Sequence, residues 1–86
     1  MKPATVKAIY DNGGETSDRF TVILHDTDGV SGVHEALSLS MWPDMPNGVS
    51  LFTEAIEGGH LGTEIEWVEL PTHIAEHILN RLFHIN

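Results

Sequence analysis

The stretch THIAEHILNRLFH, residues 72–84, carries three of the chain's six histidines: His73, His77 and His84. His73 and His77 stand four apart. On a helix that spacing brings two imidazoles to one side, within reach of a shared zinc or nickel ion. A third ligand is harder to supply, because His84 lies at an end that frays. No Glu follows His73, so His-Ile-Ala-Glu-His is not the His-Glu-x-x-His pattern of a zinc protease. With residues about 100° apart around a helix axis, the three histidines fall within about 40° of one another. Ile74, Ala75, Ile78, Leu79 and Leu82 gather on the opposite side. The expectation is an outward histidine stripe, flanked by Glu76 and Asn80, with the aliphatic side against a sheet. The alternative is a metal- or small-ligand-binding domain that uses His73, His77 and His84, or His60.

Other candidates for chemistry are weaker. Serines stand at 17, 31, 38, 40 and 50, none of them in Gly-x-Ser-x-Gly, the sharp turn that exposes a hydrolase nucleophile. Asn12-Gly13-Gly14-Glu15-Thr16 is glycine-rich, but no Lys follows to reach a phosphate, and Asp11, Glu15 and Asp18 would repel one. Those acids lack the spacing of a calcium loop and read as a turn. His60, between Gly59 and Leu61, is expected to orient its loop through a backbone hydrogen bond. Glu64 and Glu66 alternate onto one strand face as an acidic stripe; acid–base catalysis would need convergent groups with separated pKa values. Trp42 sits among Met41, Met45 and two prolines, a stiff setting that suits an interface anchor. In a chain short of core, the favoured expectation is instead that Trp42 folds back over one end of the sheet.

The totals narrow the classes further. Eighty-six residues make one domain, spanning 1–86, with a composition that suits a globular core. There is no cysteine, which excludes disulfides, a thiolate metal site and a cysteine nucleophile. No apolar run is long enough for a signal peptide or a membrane span. The expectation is a soluble cytoplasmic protein with no cofactor. Thirteen acids against four bases give a net charge of −9. Such a surface repels nucleic acid and anionic lipid and favours a basic protein surface.

Elements to position these residues follow from the apolar pattern. Strands are expected over residues 5–10, 19–25, 36–40, 49–56 and 64–68, and a helix over 72–83 behind Pro71. Val6, Ala8 and Tyr10 alternate with Thr5, Lys7 and Ile9. Phe20, Val22 and Leu24 share one face, with Thr21, Ile23 and His25 on the other. Leu37 and Leu39 point inward. Asp11-Asn12-Gly13-Gly14 predicts a turn that joins the first two strands as a hairpin. Asp26-Thr27-Asp28-Gly29 predicts the next turn, and Val30–Glu35 reads equally as loop or strand start. The sum is an α+β domain, a small four- or five-stranded antiparallel sheet with one C-terminal helix packed on it.

Three runs, AIYDNGGETSDRFTVIL, LSLSMWPDMPNGVS and GGHLGTEIEWVELPTHIAEHILNRL, carry a resemblance across residues 8–82. Their order and spacing resemble a group of small uncharacterised proteins encoded by tailed bacteriophages and mobile elements. The resemblance implies a phage-accessory context, in the cytoplasm of a host cell, and assigns no residue a role. With the charge, it leads to the expectation of a non-enzymatic acidic binding protein. Its target would be a basic surface of a host protein, for example a defence nuclease. Glu64, Glu66, Asp11, Glu15 and Asp18 would make the electrostatic contact, with Trp42 as anchor. A homodimer through a sheet edge is compatible with this reading.

Overall fold

The structure, a computed structural model, describes residues 2–25, 33–43, 45 and 48–83; at 33, 52–54 and 83 it describes the backbone alone. Strands β1 (Val6–Asp11), β2 (Phe20–Leu24), β3 (Val33–Leu39) and β4 (Val49–Ile56) form an antiparallel meander. A short β5 (Thr63–Ile65) pairs with β1 at the far edge, giving the order β4-β3-β2-β1-β5. One helix, α1 (Thr72–Phe83), follows. This is the expected α+β architecture, a small antiparallel sheet with a C-terminal helix. The expected turn at Asp26–Gly29 and the third histidine, His84, lie outside the described residues.

Pairing sorts side chains into rows. Thr63, Asp11, Phe20, Leu39 and Val49 lie abreast, as do Ile65, Ile9, Val22, Leu37 and Leu51. Both rows look toward α1, because Ile9, Phe20, Val22, Leu37 and Leu39 pack with Ile74 and Ile78 of the helix. The row between them, Glu64, Tyr10, Thr21, Ser38 and Ser50, faces the other way. Ala8, Ile23 and Ala36 share that second face.

The strict alternation expected of the first strand fails at one point. Register shifts between Val6 and Ala8, where Lys7 is the extra residue of a bulge. The bulge reverses the phase, so Val6 joins Ile9 under the helix while Ala8 and Tyr10 face away. A second shift lies between His34 and Ala36, on the ladder with β4.

β4 and β5 run in the same direction at opposite edges, so the chain between them must cross the sheet. Residues 57–62 form that strap, on the face away from α1. Glu57 meets Lys7 and Tyr10, and Leu61 packs on the cluster of Ala8, Tyr10, Ile23 and Ala36. A single 3-10 turn, Gly59–Leu61, shortens the path, with Leu61 N–H bonded to Gly58 O and Gly62 N–H to Gly59 O, each at 3.1 Å. Gly62 closes the strap at φ 115°, and a Cβ there would lie 2.7 Å from Asn12 Cα. Only glycine fits both conditions.

Two boundaries and one buried position differ most from the sequence pattern. The third strand starts at Val33 rather than Ala36, so the ambiguous stretch before it is partly strand. The fifth strand ends at Ile65; Trp67 and Val68 belong to a 3-10 turn, Trp67–Glu69, in which Glu69 accepts the Glu66 N–H at 2.7 Å. Trp67 still reaches the helix-side core, while Val68 is exposed. On α1, Pro71 stands before the first turn and its carbonyl accepts the N–H groups of Ile74 and Ala75, at 3.0 Å each. Ile74 and Ile78 are fully buried and Ala75 and Leu82 half-buried, but Leu79, expected inward, lies on the rim and is exposed.

Candidate partner-binding interface

Two loops meet at the end of the sheet where β1 and β3 finish. The first, residues 12–19, is held by hydrogen bonds of its own. Asp11 Oδ1 accepts the Gly13 N–H at 2.7 Å and Asn12 Oδ1 accepts the Gly14 N–H at 2.8 Å. Gly13 and Gly14 adopt φ of 75° and 89°, as Asn-Gly-Gly predicts. The Asn12 amide donates across the loop to Thr16 Oγ1 at 2.9 Å and to the Asp18 carbonyl at 3.2 Å. Arg19 closes the base with a two-pronged contact to Asp11, Nε to Oδ1 at 2.8 Å and Nη2 to Oδ2 at 3.1 Å. The Arg19 guanidinium, with help from the Gly13 amide, holds the Asp11 carboxyl below its ordinary range. Asp11 is thus neutralised from within the loop.

The second loop carries Trp42. The Trp42 N–H donates to Ser40 Oγ at 3.0 Å and the Met45 N–H to the Trp42 carbonyl at 3.1 Å. The Gly48 N–H bonds Met45 O, and the Ser40 N–H bonds Gly48 O, both at 2.9 Å. Gly48 is pressed so closely under this turn that a Cβ would lie 2.6 Å from Pro43 Cα. From the helix, His73 Nε2 reaches the Met41 carbonyl at 3.0 Å. A carbonyl only accepts, so the proton sits on Nε2. The backbones of Ser40, Met41, Trp42, Met45 and Gly48 are therefore tied by hydrogen bonds, yet Trp42 is 69% exposed and Met45 62%. The expectation that Trp42 folds back over the sheet is overturned. Met41 and the buried Pro43 close that end instead, and Trp42 projects.

Between the loops lies a shallow cleft of about 270 Å³, lined by Thr16, Ser17, Arg19, Met41 and Trp42. A second open cleft, about 360 Å³, flanks the first loop on its other side, against Gly62 and Thr63. Glu15 is exposed and Asp18 half-buried at this end. The structure thus brings Trp42 beside the loop that carries Glu15 and Asp18. Glu64 and Glu66 are exposed but stand apart, at the β5 edge, Glu64 opposite Tyr10. They share no strand, since Glu66 lies beyond the end of β5.

The histidines divide. His73 is exposed and its Nε2 is tethered to Met41 O, and His77 is half-buried. Among the described residues, no three His, Asp or Glu side chains converge as a metal site. His60 is exposed and makes no side-chain hydrogen bond among the described residues; backbone bonds, not the imidazole, shape its loop.

One polar cluster escaped the sequence pattern. Tyr10 Oη donates to Glu57 Oε2 at 2.7 Å, and Lys7 Nζ pairs with Glu57 Oε1. The hydrogen bond to Glu57, then burial, then the charges of Glu57 and Glu64 push the Tyr10 phenol up to about 12. Lys7, then Tyr10, hold Glu57 below its ordinary range. A phenol that ionises so late is no base near neutrality, so the cluster serves as a clasp for the strap. Nothing in the spacing of Tyr10 and Glu57 marks them as partners. The bulge at Lys7, which the sequence does not announce, brings both Lys7 and Tyr10 to the strap.

Comparison with protein-family models, with curated proteins and with solved structures found no match. Among the described residues, no helix is long and apolar enough to cross a membrane.

Proposed function

We propose that this chain is a non-enzymatic binding protein that covers a basic surface of another protein, with Trp42 as its anchor. One observation carries the reading: a tryptophan 69% exposed on a loop whose backbone is tied at both ends and to the helix. A fixed, exposed aromatic loses little freedom when it enters a pocket, which is what a binding hot spot requires. The net charge of −9 supports a basic target, and Glu15 and Asp18 lie on the loop next to the anchor. Asp11 contributes to loop shape rather than contact. Glu64 and Glu66 would touch a partner large enough to wrap to the β5 edge. The likeness in its motifs to phage and mobile-element proteins supports a host protein as target, and inhibition of a defence nuclease is the form this would take.

Affinity purification from a host lysate tests it, with wild-type and Trp42→Ala baits at low and high salt. The expected result is a partner held by the wild type, released by salt and missed by Trp42→Ala. A partner that Trp42→Ala retains at full yield, or no salt-sensitive partner at all, would refute the proposal.

A further inference from the structure

Restraints converge on the backbone that carries the exposed indole. The peptide between Met41 and Trp42 is gripped on both sides by side chains. Its carbonyl accepts from His73 Nε2 at 3.0 Å, and its N–H donates to Ser40 Oγ at 3.0 Å. The next carbonyl, that of Trp42, accepts the Met45 N–H at 3.1 Å. Pro43 follows, buried, and its ring disfavours the helical region for the residue before it. On the other flank the Met41 side chain packs on the helix-side core. Both backbone torsions at Trp42 are thus restrained, while its side chain points into solvent.

Of these restraints, the His73 bond is the one that the local chain does not supply. Ser40, Pro43 and Met45 are close neighbours of Trp42 in sequence, whereas His73 is 32 residues from Met41 and belongs to α1. The next residue, Ile74, is fully buried, so this turn of the helix is fixed to the sheet. Burial does not demand the bond. It is exposed, where water would satisfy the Met41 carbonyl as well. What it changes is the freedom of the loop against the helix.

We propose that His73 is a positioning residue, which pins the Trp42 loop to α1 and so presets the indole for a partner. That Trp42 anchors a partner rests on the reading above; that His73 holds its loop is tested without one. A side chain held in place before contact gives up less freedom on binding, so a loosened loop loses affinity with every contact still available.

Trp67→Phe leaves Trp42 as the single indole, and time-resolved fluorescence anisotropy of the free protein in that background reads its motion. With His73 intact, most of the depolarisation should follow the tumbling of the whole chain. His73→Ala should enlarge the fast component, on the nanosecond scale or below, about twofold, with helical circular dichroism intact. His73→Gln should restore the original decay, because its amide nitrogen falls where Nε2 does. His73→Asn, whose amide falls at the Nδ1 position, should not. If the variants fail to fold, the wild type itself decides: nitrogen NMR should show neutral His73 protonated at Nε2, with a proton slow to exchange. A fast component unchanged by His73→Ala, equal behaviour of the Gln and Asn variants, or a ring protonated at Nδ1 alone would each overturn the proposal. These measurements involve no partner, so their failure would leave the binding reading standing, and a failed purification would leave the tether standing.

Discussion

On the helix side of the sheet, Val6, Ile9, Phe20, Val22, Leu37 and Leu39 meet Ile74 and Ile78, all within 4% exposure. On the strap side, Ile23 is the large aliphatic of a buried cluster otherwise made of Ala8, Ala36 and Tyr10. A helix, about 10 Å across, can seal a layer of large side chains. A single extended segment cannot, and it seals the second face only because alanines let it approach closely and a polar clasp holds it. The first closure is non-directional and nearly indifferent to pH. The second depends on two hydrogen bonds to one carboxylate, and so on protonation.

Phe20→Ala should strike hardest. A phenylalanine this deeply buried leaves a cavity that costs about 3–5 kcal/mol, a large share of the roughly 4–13 kcal/mol expected of a chain this size. Urea unfolding followed by circular dichroism should show most of its cooperative transition lost; a loss below about 1 kcal/mol would mean the helix side is not the main core. Gly62→Ala comes next, at about 1–3 kcal/mol, from strained backbone and collision with the first loop. If it proves neutral, the strap does not lie where the second face requires it.

The clasp predicts a smaller and pH-dependent effect. Tyr10→Phe should cost about 0.5–1.5 kcal/mol at neutral pH. Tyr10 is the one tyrosine, so phenolate absorbance reports it alone. The midpoint should lie near 12 and fall toward the ordinary 10 in Glu57→Gln. Because the folded phenol is raised, its contribution is whole below pH 10 and is lost as pH rises from 10 toward 12. Glu57 and Asp11 are lowered, so theirs is whole above the ordinary carboxylate range and is lost as pH falls through and below it. A midpoint near 10 in the wild type would remove the clasp from the account. Smallest on stability is Trp42→Ala, within about 0.5 kcal/mol, because the ring packs against little; a larger loss would show that Trp42 belongs to the core after all.

Much of the helix side was legible in the residues. The 3.6-residue spacing of Ile74 and Ile78 and the alternation of Phe20 and Val22 point at each other without further information. Asn12-Gly13-Gly14 likewise announces its positive φ angles. The strap side was not legible, because a bulge is a decision of the ladder rather than of the strand. Lys7 has no property that marks it as the extra residue, yet it sets where Val6, Ala8 and Tyr10 point. The tether at the Trp42 loop was hidden for a similar reason. It depends on His73, more than thirty residues away in sequence, which the spacing of histidines marked for metal or solvent rather than for a carbonyl.

The diagonal strap has a consequence for synthesis. Both covers of the sheet, strap and helix, come from residues 57–83, after the four-stranded meander is already made. A ribosome therefore releases the hairpins first, with Phe20 and Leu39 bare on one side and Ile23 on the other, and shelters them only once residues 57–83 have followed. A fragment ending at Ile56 would be left as that half-dressed ribbon, prone to stick to its neighbours.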